Sequence, residues 1–315
     1  MSLLLLGVLI AKFNGDDLVP AHRSLPGALA FLSSGVVIMG ASFLLASWRW
    51  QRVLAVFDAV VPLRTLFKHY LAGQFVGNAL PSTVGGDVVR VSRCSRDIGS
   101  SEVAFASVVI ERLTGFFALP LLTLVGFAAR ADLLDQGRSW IAIAVALGSL
   151  AVLALLIALA ASPRLAGRFK DHENWMRYIG IVHVGIDRLR HDKRDAFAAL
   201  GAAVAYQLTV VGAVYCAVHT VGLTIPNGAV LAFVPAVAMV QVLPISVGGL
   251  GVREGMLALL LHQHPFNVPT GQAVAVGLLW YFMTLAVSLA GAPAFALGHR
   301  ATGGSSMGSV KAEES

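Results

Sequence analysis

The stretch "LPSTVGGDVVR" at residues 80–90 interrupts apolar sequence with a proline, two hydroxyls, two glycines, an acid and an arginine. A second stretch, "LPISVGGLGVRE" at residues 243–254, repeats the pattern. In both, glycines follow the proline at four and five places and an arginine follows at nine. Pro81, Gly85, Gly86 and Arg90 therefore align with Pro244, Gly248, Gly249 and Arg253 without a gap. What the motif does depends on where the surrounding chain lies.

Of the 315 residues 57% are hydrophobic and only 13% charged, against about a quarter charged in soluble domains. Between Asp195 and Arg300 the only acidic or basic side chains, histidine aside, are Arg253 and Glu254. A soluble fold does not tolerate so long a charge-free run, so the fold class is all-α, a polytopic membrane protein. The net charge of +6 is what a basic cytoplasmic face produces, and it makes no case for nucleic acid. Cys94 and Cys216 fall at different predicted depths and read as reduced thiols.

Hydropathy places full spans at about 26–48, 103–129, 139–161, 196–219 and 271–298. Each has at least about 22 residues, or roughly 33 Å of helix, enough to cross the hydrocarbon core. The opening "MSLLLLGVLIAKF" is too short for a full span and lacks a basic start and a cleavage site, so a clipped first span is favoured over a signal peptide. Residues 301–315 read as a disordered cytoplasmic tail. Basic residues cluster on one side: Arg49, Arg52, Arg64, Lys68, Arg90, Arg93 and Arg96, then a dense group from Arg164 to Arg194, then Arg300. The opposite loops hold Lys12, Arg23, Arg130 and Arg138. The basic side is expected to be cytoplasmic, with both termini there and the protein multi-pass in the inner membrane. Trp48 and Trp50 fit an interfacial belt.

That orientation leaves 64–97 beginning and ending on the cytoplasmic side and 228–264 on the outer side, each with one motif near its middle. Surface-lying helices broken by loops would satisfy this. Two re-entrant helical hairpins meeting near the midplane satisfy it better. The order span, span, hairpin, span then recurs upside down, an inverted-topology repeat within one transmembrane domain over 1–300, with repeats at about 1–130 and 138–299. Residues 172–194 place Trp175, Tyr178, Ile179, Val182, Ile186 and Leu189 on one helical face, an amphipathic helix expected on the inner leaflet.

Unpaired backbone at membrane depth persists only inside protein or beside a wet cavity. Pro81 breaks the inward half-helix, Ser82 and Thr83 are placed to cap the next, and Gly85 and Gly86 permit positive φ and close approach. From about Asp87 a second half-helix runs back, its positive N-terminal end deep in the membrane, with Arg90 one turn on: an arrangement for phosphate. Pro244, Ser246, Gly248, Gly249 and Arg253 repeat the device, with Glu254 beside them, and Glu111–Arg112 forms a third charged island. The plainer account pairs Asp87 with Arg90 and uses the glycines for packing alone. A shared substrate pathway is the preferred account, because ionisable groups at this depth are expensive. His262 and His264 point to different helical faces and suit an outer loop rather than a metal site. No spacing suggests catalysis, and no cofactor is expected.

"FVGNALPSTVGGDVVR", "VVIERLTGFFALP" and "LPISVGGLGVREG" resemble the flippase-like transmembrane domain of the lysylphosphatidylglycerol synthase family, over roughly 30–300. The resemblance implies movement of a lipid between leaflets, with Pro81, Gly85, Gly86, Asp87, Arg90, Glu111, Arg112, Pro244, Gly248, Gly249, Arg253 and Glu254 matching its recurrent blocks. The soluble aminoacyl-transferase domain of the full synthases is missing from these residues, which removes the case for synthase activity. The leading expectation is a non-enzymatic translocase for a phospholipid, glycolipid or polyprenyl-phosphate carrier, its partner a membrane lipid with an anionic headgroup. The alternatives are a membrane-embedded lipid-phosphate transferase, an accessory subunit partnering a lipid-modifying or glycosyl transferase, and a small-solute transporter.

Overall fold

The computed structural model describes residues 24–79, 83–135, 137–161, 175–242, 249–262 and 264–300. These form eleven α-helices: α1 Leu25–Ala55, α2 Leu63–Ala79, α3 Thr83–Ile98, α4 Ser101–Ala129, α5 Ser139–Ala161, α6 Trp175–His191, α7 Lys193–Val221, α8 Asn227–Gln241, α9 Val252–Leu261, α10 Thr270–Leu289 and α11 Gly291–Arg300. Among the described residues five helices, α1, α4, α5, α7 and α10, are long and apolar enough to cross a bilayer. The chain is thus an all-helical polytopic membrane protein. The apolar start, the first proline of each motif and the terminal tail lie outside the described residues.

Local chemistry sets the helix ends. The Ser100 hydroxyl accepts from the Val103 N–H at 3.2 Å and opens α4. The Asp192 carboxylate accepts from the N–H groups of Arg194 and Asp195 at 3.0 and 3.2 Å and opens α7, which ends at Gly222 with φ 89°. The expected last span divides in two. At the break, a β-carbon on Gly291 would collide with the Leu71 carbonyl, so α11 lies close on α2. Pro293 in its first turn needs no N–H donor there. Arg93 of α3 ties α11 further, donating to the carbonyls of Ala294 and Phe295 at 2.9 Å each.

The longest packing runs between α1 and α7, where Gly35 lets Cys216 of α7 approach, and Met283 of α10 with it. Helix α4 crosses α8 at Gly126, whose missing β-carbon would stand 2.6 Å from the Ala232 Cα. Met39, Phe43, Phe233 and Met283 fill the largest apolar core. Both cysteines are buried and unbonded.

Three expectations need correction. Helix α3 begins at Thr83, so Gly85 and Gly86 sit inside it rather than before it. Trp50 is no interfacial residue: it is wholly buried and donates from Nε1 to Ser107 Oγ at 2.9 Å. Helix α6 does not lie on lipid alone: Ile186 is buried against Val53, Ile110 and Ala199, with Val182 and Leu189 partly buried beside it.

Candidate functional site

Four helices deliver charge to one place. At Gly86 the α3 backbone comes so close to Gly73 of α2 that no β-carbon would fit. One turn on, the Arg90 stem runs across Gly73, 2.7 Å from where its β-carbon would be. The Arg90 guanidinium thereby lies over two rings, Trp50 of α1 at 4.4 Å and Tyr70 of α2 at 4.8 Å. A guanidinium lying over rings makes its hydrogen bonds at its edge.

That edge meets Glu111 of α4. Both terminal nitrogens of Arg90 donate to Glu111 Oε2 at 3.2 Å, and one lies 3.5 Å from Asp87 Oδ1. The other carboxylate oxygen belongs to Arg49 of α1, which donates to Oε1 from Nε at 2.9 Å and from Nη2 as well. Gly115 makes room, because a β-carbon there would lie 2.8 Å from Arg49 Nη1. Arg49 also lies over the Tyr206 ring of α7 at 5.1 Å. Arg112 Nε stands 2.5 Å from Asp87 Oδ2. Arg49 and Arg90 are each 5% exposed and Glu111 1%, so these charges depend on one another rather than on water. Among the described residues, the buried guanidinium atoms with no hydrogen-bond partner include Arg49 Nη1 and Arg90 Nε.

The second motif is built differently. Gly249 and Gly251 take positive φ, 78° and 85°, immediately before α9. Arg253, 5% exposed, donates to Gln241 Oε1 from Nε at 3.2 Å and Nη2 at 3.0 Å. It lies against Trp280 at 4.9 Å and Tyr281 at 5.5 Å. Glu254 turns back to accept the Gly251 N–H at 2.6 Å, a helix cap rather than a wall of the site.

A central cavity of about 280 Å³ takes in both arginines, with Gly86, Asp87, Glu111, Arg112 and Gly249. Of the other candidates, Gly85 lies on α3 beside it. Thr83 opens that helix, and Glu254 caps α9. Pro81, Ser82, Pro244, Ser246 and Gly248 lie outside the described residues.

Sequence reasoning missed Arg49, Trp50, Tyr70, Tyr206, Gln241 and Trp280. One signal was available: an amide stands three places before each motif proline, Asn78 and Gln241, and both line the cavity. The charges are not repeated. At the same offset of 163 residues, Arg49, Asp87, Glu111 and Arg112 correspond to Gly212, Leu250, Val274 and Ala275.

Helix α4 has two working faces. At about 100° per residue, Glu111 and Gly115 face the cavity while Ile110, Leu113 and Phe117 face the opposite way, into a groove of about 320 Å³. Apart from Thr114 and Lys193 the groove is apolar. His262 Nδ1 sits 3.1 Å from the Val268 carbonyl, and no metal-competent group of three or more His, Cys, Asp or Glu occurs among the described residues.

No curated protein matches the chain. The family model for the lysylphosphatidylglycerol synthase TM region matches residues 1–291, and the chain belongs to that family.

Proposed function

We propose that the protein is a lipid translocase that carries a phosphate-bearing lipid between leaflets without catalysing chemistry. One observation carries the reading: two buried arginines from the two motif segments line a single cavity inside a membrane protein. Guanidinium groups held by aromatic rings suit planar, bidentate recognition of phosphate. Membership of the family supports a membrane role linked to lipid.

In this reading α2–α3 and α8–α9 are re-entrant hairpins. Their helices have 17, 16, 15 and 10 residues, and even the longest is about 26 Å, short of a roughly 30 Å hydrocarbon core. The motif offset also carries α4 onto α10, which supports an inverted repeat entered from opposite faces, with the basic loops cytoplasmic. The headgroup occupies the cavity and the tails stay in the bilayer. A transferase or glycosyltransferase that supplies or uses the lipid is the expected partner class.

The test is reconstitution into vesicles with fluorescent phosphatidylglycerol, following leaflet exchange by a membrane-impermeant quencher. Arg90→Ala and Arg253→Ala should each slow exchange by about tenfold or more, and the lysine variants should recover part of it, because a point charge does not reproduce the fork. Parent-like exchange in both alanine variants would remove the arginines from the pathway and the reading with them.

A further inference from the structure

Glu111 divides its two oxygens between two guanidinium groups, and the division is unequal. Arg49 holds Oε1 from Nε at 2.9 Å and from Nη2 as well. Arg90 holds Oε2 with its two terminal nitrogens, each at 3.2 Å. The Arg90 contact is therefore the looser one, and it presents two donors side by side, as a fork onto phosphate oxygens requires. The rings of Trp50 and Tyr70 fix the plane of that fork whatever anion lies at its edge.

We infer that Glu111 is an internal stand-in for lipid phosphate on Arg90, and that Arg49 is a specificity-determining residue that holds Glu111 while Arg90 changes partner. This rests on the translocase reading above. Without Arg49, a carboxylate released by Arg90 would be left buried and uncompensated, a penalty large enough to block the exchange. With Arg49, Glu111 stays paired and Arg90 alone is passed to the lipid. The partnerless Arg90 Nε and Arg49 Nη1 are further buried donors at this place that an anion would satisfy.

Charge counting narrows the ligand. Arg49, Arg90 and Arg112 face two carboxylates, Asp87 and Glu111, leaving one positive charge. Arg253 and Glu254 add one charge of each sign nearby. A head with one net negative charge, a phosphodiester, closes the account. A zwitterionic head leaves the excess in place.

The experiment measures binding of fluorescent-tailed phosphatidylglycerol to purified protein in phosphatidylcholine nanodiscs, with soluble glycerol phosphate as a competing arm. Glu111→Gln should bind phosphatidylglycerol about tenfold more tightly, because the internal competitor is gone, and Arg49→Gln about tenfold more weakly. The Arg49→Gln, Glu111→Gln double variant, whose net charge equals the parent's, should return to within about threefold of it. A merely structural ion network would weaken binding in both single variants. Glu111→Gln that melts cooperatively yet binds no more tightly than the parent overturns the inference. If that variant does not fold, parent-like binding by Arg49→Gln overturns it instead. Glycerol phosphate that competes as well as the lipid would make the ligand a soluble phosphate and overturn the lipid assignment. Parent binding unaffected by Arg90→Ala would defeat the translocase reading itself. Binding that needs Arg90 but is indifferent to Glu111 would defeat only the exchange.

Discussion

A β-carbon at Gly86 would strike the carbonyl of Gly73, whereas one at Gly40 or Gly148 would meet nothing within 4 Å. Gly86→Ala should therefore lose roughly 1–3 kcal/mol through forced separation of α2 and α3. Gly40→Ala and Gly148→Ala, inside α1 and α5, should match the parent or gain up to about 1 kcal/mol. Thermal unfolding in detergent separates these outcomes, and equal melting of all three would mean that the arms yield easily. Trp50→Phe keeps a ring over Arg90 but removes the donor to Ser107 Oγ, which still donates to the Ala104 carbonyl at 2.8 Å, so a loss of about 1 kcal/mol is expected. The arginines of the motifs and Glu111 were legible in the sequence because charge inside apolar runs stands out. Arg49 was not. It sits beside Trp48 and Arg52 at a span end, where basic residues are ordinary, and its partner Glu111 lies 62 residues away. Only packing brings them together.

Helices as elements were largely legible, since hydropathy marks a spanning helix directly. Their ends were less so. The break between α10 and α11 falls in the stretch "LAGAPAF" at 289–295, apolar throughout, and is set by the approach of Gly291 to α2. The apolar face of α6, which meets protein at Ile186, shows a periodic pattern that serves protein packing and lipid contact equally well. Two element-scale outcomes follow. Asp192→Ala removes the cap of α7 and should lower stability by about 1 kcal/mol, read as a fall in melting temperature with unchanged helix content. Leu200→Trp, on α7, adds bulk to the apolar groove behind α4. It should slow lipid exchange in vesicles if tails pass along that face; unaltered exchange would place their route elsewhere.

For the whole molecule, the assembly of one cavity from both halves was foreshadowed by the aligned motifs, but the unequal chemistry of the two halves was hidden in positions the motif does not include. The topology is open to a direct check. Cys94 and Cys216 are 0% and 6% exposed, so background labelling should be low. Thiols introduced by Arg177→Cys and His264→Cys should react with an impermeant reagent from opposite sides of the membrane. Labelling of both from one side would end the inverted arrangement. The charges that occur only in the first half, at Arg49, Asp87, Glu111 and Arg112, have a kinetic meaning. A passive carrier obeys detailed balance, so no arrangement of fixed charge lets it accumulate lipid in one leaflet. Lopsided binding instead makes the half-saturating concentration, and the maximal rate with it, depend on the leaflet from which lipid enters, while their ratio stays equal in both directions. Flux measured from each side of an oriented vesicle would show that inequality even where the final distribution is even.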